Sequence, residues 1–255
     1  MSGPLYVQRD QPPGVPPLQL TGERTLPDVP QENYWFQRHL AVYEWIAPQL
    51  GGRRVIDMAC GEGYGTAVLA RHAAAATGVD ANPEAHEHAR LRYVAPRLRF
   101  VRDMIQTFAE PADAVVFLQT IEHVPDPDPL LDHLAAIAPV AYISTPNVLT
   151  LAPPGAERSD NPWHIHEYRA DEFRALCEAH YGEVRLFGLF HAGRLRAHAL
   201  ALRLGWDRVH RSLGLTRAFY DRFVPAIGGH DFALREEPGP AALDRALDLL
   251  AVCRR

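Results

Sequence analysis

Lysine is absent from this 255-residue chain: all 26 basic residues are arginine. Neither a lysine Schiff base nor a phosphate-loop lysine can therefore belong to its chemistry. Serine is scarce, with four residues, and none sits in a Gly-x-Ser-x-Gly elbow, which argues against a serine hydrolase. The three cysteines, Cys60, Cys177 and Cys253, are odd in number and far apart. They give neither a disulfide framework nor a zinc ribbon, and a reducing cytoplasm is the expected location. No apolar run nears the roughly 20 residues of a membrane helix, and Met1–Asp10 lacks the charged start and apolar middle of a signal peptide. No membrane span is expected. A formal charge of −5 offers no general attraction to nucleic acid, which makes it a poor candidate partner.

What the chain does have is a 47% apolar composition, enough for a sizeable core, and a regular alternation of short apolar runs with helical segments. Residues 1–30 hold seven prolines and read as an extended arm, ordered near its end. Residues 31–255 form one domain. "QENYWFQRHLAVYEWIAPQL" over 31–50 reads as a helical cover closed by Pro48 and Gly51-Gly52. Strands follow near Val55, Ala76, Leu98, Ala114, Ala141 and Glu183, with helices over Tyr64–His72, Glu84–Tyr93, Asp128–Ala138 and Asp171–His180. Strands separated by helices of about ten residues predict βαβ units and a mainly parallel α/β sheet. A loop over 147–168 could face a substrate. A helical insertion over 194–228 interrupts the alternation, and "DFALRE" and "LDLLAVC" could be closing strands.

The most informative stretch is "RRVIDMACGEGYGT", where a strand ends in Asp57 and glycines follow at 61, 63 and 65. In an open α/β sheet, ligands sit beyond the carboxyl ends of the strands, and a glycine turn lets backbone come close to them. A nicotinamide dinucleotide would need G-x-G-x-x-G, but here the third position is Thr66 and Asp57 would set negative charge near the phosphates. S-adenosylmethionine, with an ammonium, a sulfonium and no phosphate, fits better. Asp57 can draw its ammonium, directly or through water. Gly61 and Gly63 leave room for its methionyl and ribose parts. Asp80 can hold the ribose hydroxyls, and Asp103, followed by Met104, can accept from the adenine amine. Each acid alone could simply cap a helix. Three of them at three successive strand ends are harder to dismiss.

"VIDMACGEG", "TGVD" and "FVRD" resemble the successive motifs of class I S-adenosylmethionine-dependent methyltransferases, over about residues 53–187. The resemblance implies a seven-stranded, doubly wound, Rossmann-like sheet with the insertion before its last strand. Ala59 stands where that family has its first glycine.

Beyond the fourth strand, "LQTIEHVPDPDP" places Gln119 at the methionyl end and Glu122 and His123 over the transferring methyl. "NPWHIHEY" adds His164 and His166, of which His164 is the better candidate because it follows the Asn-Pro-Trp turn. An aliphatic hydroxyl is a poor nucleophile and needs a base or a metal. His123, Glu122 and His164 could act metal-free or hold Mg2+ or another divalent cation, with Glu122 and His123 as mere loop anchors the remaining reading. The pattern is similar to the Glu-x-x-Glu-His…His magnesium site of small-RNA 2′-O-methyltransferases, with Gln119 replacing the first Glu. In "NYWFQRH", Arg38 and His39 could reach the cofactor carboxylate or substrate, and His191, Arg194, His230 and Asp231 lie after late strands. The whole pattern resembles actinobacterial methyltransferases associated with polysaccharide assembly, of the methylglucose lipopolysaccharide type. That implies O-methylation of a sugar or polysaccharide hydroxyl. Rival readings are a quinone, polyketide or RNA-end methyltransferase, a nicotinamide oxidoreductase, and a non-catalytic binding module. The oligomeric state is left open.

Overall fold

A strand buried on both faces needs apolar residues at every position, whereas one solvated face would give alternation. "AVVFL" and "LLAVC" meet that requirement, and both lie inside the main sheet. In the computed structural model, which describes residues 4–21, 24–153, 155–236 and 239–255, every residue of Ala114–Leu118 is buried. Residues 1–3, 22 and 23 of the arm and Pro154 of the 147–168 loop lie outside the described residues.

The chain opens with β1 (Leu5–Tyr6) and β2 (Leu18–Gln19), paired antiparallel. Helix α1 (Asn33–Ile46) runs into a 3-10 turn over Ala47–Leu50. Then come β3 (Arg54–Met58), α2 (Tyr64–Leu69), β4 (Ala75–Val79), α3 (Pro83–Arg92) and β5 (Leu98–Val101). Next are β6 (Ala114–Leu118), α4 (Pro127–Ile137), β7 (Val140–Pro146), α5 (Val148–Leu151) and α6 (Ala170–Glu178). The last part holds β8 (Glu183–His191), α7 (Gly193–Arg203), α8 (Trp206–Ser212), α9 (Thr216–Phe223), β9 (Phe232–Glu236) and β10 (Asp248–Arg254). Asn82 caps α3 by accepting from the Glu84 and Ala85 amides, with Pro83 at the first helical position.

The sheet order is β5-β4-β3-β6-β7-β10-β8-β9. Strands β3 to β7 are parallel, and β10 slots antiparallel between β7 and β8. This is the doubly wound Rossmann-like architecture, with eight strands rather than the expected seven. The extra strand forms because β8 is nine residues long and would otherwise leave a bare edge. Phe232–Glu236 pairs with Phe187–His191, burying Phe232 and setting Arg185 against Glu236. The helical insertion therefore precedes two strands, not one.

Alternation along β6 sends Val115 and Phe117 to one core with Leu131, Leu134 and Phe173. Val116 and Leu118 enter the opposite core with Val42, Ile46, Leu50 and Leu69, under α1. The amino-terminal segment departs from a plain extended arm. Its hairpin buries Leu18, which forms a small cluster with Leu26 and Val29, and Gln8 reaches Glu62 at 2.7 Å. His88 on α3 bridges the Pro16 carbonyl and Glu62. These contacts lash the hairpin to the glycine turn.

Candidate active site

Strand order reverses between β3 and β6, so the space beyond their carboxyl ends is open to a ligand. A cavity of about 440 Å³ lies there, walled by Ala59, Cys60, Gly61, Glu62, Tyr64 and Asp80 on one side and by Leu118, Gln119, Thr120 and His123 on the other. Thr25, His39 and Tyr43 close it from the arm and α1.

The turn after β3 explains its composition. Ala59 has φ +57°, a left-handed conformation that costs a side chain roughly 1–2 kcal/mol, which is why glycine is the usual solution there. Gly61 has φ +55° and nothing within 4 Å of where a Cβ would sit. Gly63 has φ +97°, and a Cβ there would come within 2.8 Å of Ala89 and 2.9 Å of Phe100. One glycine keeps the cleft open, and the other lets α3 and β5 close in behind it.

Asp80 lines the cavity while its two oxygens accept from the backbone amides of Gly61 and Asn82, each at 2.8 Å. Asp57 is placed differently. It is fully buried beneath the turn, accepts from Thr66 Oγ1 at 2.7 Å and Tyr43 OH at 3.2 Å, and does not line the cavity. Burial pushes its carboxyl up to about 7, against the lowering effect of those two hydroxyls. Gly63, Asp103 and Met104 also stand outside the cavity walls. Asp103 turns into its own loop, accepting from the Met104 amide and Thr107 Oγ1, and Met104 is half exposed. Glu62, to which no role is assigned above, is buried and accepts from Gln8, Tyr93 and the Tyr64 amide.

A second cavity of about 560 Å³ shares Arg24, Thr25, His39, Gln119 and His123 with the first. Its further walls include Trp35, Glu122, Asp160, Asn161 and His164. Gln119 stands at the junction with φ +51°, held by its amide to the Ser144 carbonyl and by Nε2 to Ser144 Oγ. Glu122, His123 and His164 come together, with one ligand atom of each lying within 4.8 Å of the others. His123 Nδ1 donates to the Trp163 carbonyl at 2.8 Å, which leaves Nε2 as an acceptor. His164 Nδ1 bonds Glu167 at 2.7 Å, and its Nε2 faces the Asn161 amide nitrogen at 2.9 Å. Burial lowers the His164 pKa, and the neighbouring His123 acts in the same direction. Glu122 is buried, its Oε2 has no hydrogen-bond partner, and burial raises its pKa to about 8. His166 turns away to the Pro125 carbonyl.

The remaining polar candidates serve the scaffold. Arg38 does not reach the cleft: it is buried in an ion pair with Asp248, with contacts of 2.5 and 2.7 Å. His191 bonds Tyr34, and Asp231 accepts from the Arg194 and Gly228 amides to anchor the start of α7. His230 is exposed, beside Gly228. His39 does line both cavities, its pKa pushed down to about 4 chiefly by burial.

Fold and cleft together define a Rossmann-like methyltransferase, and residues 32–182 match the family model described as "Methyltransferase domain". The chain belongs to that family and is an S-adenosylmethionine-dependent methyltransferase. It is 38% identical over 205 residues to a probable S-adenosylmethionine-dependent methyltransferase of Mycobacterium tuberculosis, covering 76% of this chain and 74% of that one. A second such protein, from Mycolicibacterium smegmatis, is 34% identical over 254 residues, covering 93% and 95%. Among solved structures, an S-adenosylmethionine dependent methyltransferase from Mesorhizobium loti shares the fold with a TM-score of 0.56, at 17% identity, over 86% of this chain and 98% of that chain.

The residues suit that cofactor. Gly61 opens the space, and Asp80 stands in the wall as an acceptor for hydroxyls. A divalent cation is a looser fit. The orphaned Glu122 Oε2 would welcome one, but His164 Nε2 would have to release Asn161.

Proposed function

We propose that this enzyme methylates a hydroxyl of a sugar or polysaccharide, with His123 as the general base. His123 carries the reading: its Nδ1–H is committed to a backbone carbonyl, so its Nε2 lone pair is held ready in a wall common to both cavities. S-adenosylmethionine supplies, when bound, a sulfonium methyl that must lie in line with the acceptor oxygen. His123 takes the hydroxyl proton at Nε2, a contribution of roughly 10²–10⁴-fold for a positioned base. Glu122, protonated below about pH 8, donates a hydrogen bond rather than repelling the acceptor oxygen. Asp80 accepts from the ribose hydroxyls, and Ala59, Gly61, Gly63 and Gln119 shape the cleft around the cofactor. Asp57 acts at one remove, by setting Tyr43 and Thr66. Asp103 and Met104 flank the adenine end.

Two half-exposed indoles, Trp35 and Trp163, line the second and first cavities, and Arg24, Gln31 and Asp160 add hydrogen-bonding groups. Flat aromatic faces with polar groups between them suit the C–H faces and hydroxyls of a pyranose. The resemblance to polysaccharide-associated methyltransferases of the methylglucose lipopolysaccharide type points the same way.

The unpartnered Glu122 oxygen favours one second reading, in which Glu122, His123 and His164 hold a divalent cation that activates the hydroxyl. Labelled-methyl transfer to a panel of oligosaccharides, quinols and polyketides, with and without chelator, separates the two. Oligosaccharide labelling that survives chelation and falls at least about 100-fold in His123→Asn is the expected result. Loss on chelation would replace the base with the metal, and labelling of quinols alone would remove the sugar.

A further inference from the structure

The insertion between β8 and β9 has an inside and an outside of different character. Inside, the rings of His198, His210, Phe219 and Phe223 pack at centroid distances of 4.6 to 5.9 Å. Outside, leucines that have no place in that cluster face solvent: Leu204 is 80% exposed and Leu213 63%, with Leu200 and Leu215 about half or more exposed. Leu200 is in the last turn of α7 and Leu204 caps the carboxyl end of that helix, and Leu213 and Leu215 lie in the link from α8 to α9.

Charge is segregated here as well. Residues 193–223 hold seven arginines against two acids, Asp207 and Asp221, in a chain whose net charge is −5. Two of the seven pair weakly with those aspartates, at 3.6 and 3.7 Å, and Arg194 reaches Asp231. Arg196, Arg203, Arg208 and Arg222 are exposed and have no ion-pair partner among the described residues. Strands β7 and β8 both run antiparallel to β10, so β8 ends at the sheet edge where the cleft opens. The insertion rises from that same edge.

We propose that α7–α9 form a docking surface for an anionic phospholipid bilayer, on which the enzyme lies with its cleft edge near the lipid headgroups. Exposed leucines entering the headgroup region together with unpaired arginines are what an interfacial helix surface requires. Among the described residues no helix is long and apolar enough to cross a membrane, so the attachment lies on the surface rather than spanning it. A second copy of this chain would set arginine against arginine across the contact. Single-stranded nucleic acid would call for exposed aromatic platforms, where this surface offers leucine.

The test is co-sedimentation of the full chain with sucrose-loaded vesicles of phosphatidylglycerol and phosphatidylcholine, against phosphatidylcholine alone. Binding to the anionic vesicles only, weakened by salt, is expected. Each arginine near the surface contributes roughly fivefold, so Arg203→Glu with Arg208→Glu lowers partitioning at least about 25-fold. Leu204→Glu with Leu213→Glu removes binding at moderate salt while calorimetric affinity for S-adenosylmethionine is unchanged. Should the leucine pair unfold the insertion, the arginine pair decides alone. Absence of vesicle binding, indifference to the arginine pair, or a dimer in sedimentation equilibrium that the leucine pair dissolves would each overturn the proposal. So would an equally tight complex with single-stranded RNA. None of these readouts involves methyl transfer, so their failure leaves the hydroxyl chemistry standing.

Discussion

At Gly61 and Gly63 the same substitution asks two different questions. An alanine at Gly61 meets empty space and pays only for φ +55°, so it costs about 1 kcal/mol of stability and shows chiefly as weaker cofactor binding. An alanine at Gly63 adds a clash with Ala89 and Phe100, and a loss of roughly 2–4 kcal/mol is expected in urea denaturation. Equal costs at the two sites would refute this division. Asp57 sets a pH dependence. Its pKa is raised in the folded state, from 3.8 to about 7, so the folded protein is the better proton binder. Its contribution is complete below about pH 3.8 and lost as pH rises through about 7. Asp57→Asn therefore gains on the wild type between pH 4 and pH 8, read from denaturation midpoints. Parallel pH profiles for the two proteins would count against the burial of this charge.

Between elements, the buried Arg38–Asp248 ion pair ties α1 to the first residue of β10. Both side chains are buried, and the guanidinium also donates to the Leu247 carbonyl at 2.6 Å. Arg38→Met leaves a buried aspartate without its cation and should cost about 3–5 kcal/mol in thermal denaturation. Arg38→Met with Asp248→Leu removes both charges and should recover most of that loss. A double variant no more stable than the single one would mean that helix packing, rather than the ion pair, carries the energy. The same junction disposes of an attractive sequence-level idea. An arginine beside three aromatics at the entrance of a fold could clamp a carboxylate, but Asp248, 210 residues later, already occupies it.

On the scale of the whole molecule, the cleft is completed from distant parts of the chain. Thr25 comes from the arm, His39 and Tyr43 from α1, and Trp163 from the loop after β7. A ligand that bridges them stabilises the whole chain. S-adenosylhomocysteine at 100 times its Kd adds about 2.7 kcal/mol, which for a protein of this size raises Tm by roughly 5–10 °C. Asp80→Ala should lose most of that shift, because Asp80 both lines the cavity and holds the Gly61 amide. A full shift in Asp80→Ala would remove it from the site.

The sequence by itself determined the parallel sheet and the glycine turn. Hydrophobic period, proline and glycine positions, and the need for positive φ are local constraints, and local constraints are written in neighbouring residues. The meeting of Glu122 and His123 with His164 was half visible, because two of the three are adjacent and the third follows a recognisable turn. Only the tertiary structure decided which acids face the cleft. Asp57, Asp80 and Asp103 look alike at successive strand ends, yet one is buried under hydroxyls, one lines the cavity and one bonds its own loop. Burial depends on what distant segments pack above each residue, and Tyr43, Gln8 and Asp248 reach their partners from 14, 54 and 210 positions away. The pairing of the eighth strand belongs to the same category, although "DFALRE" already reads as a possible strand. An edge strand needs only a free neighbour to pair with, and no pattern within Phe232–Glu236 announces that one exists.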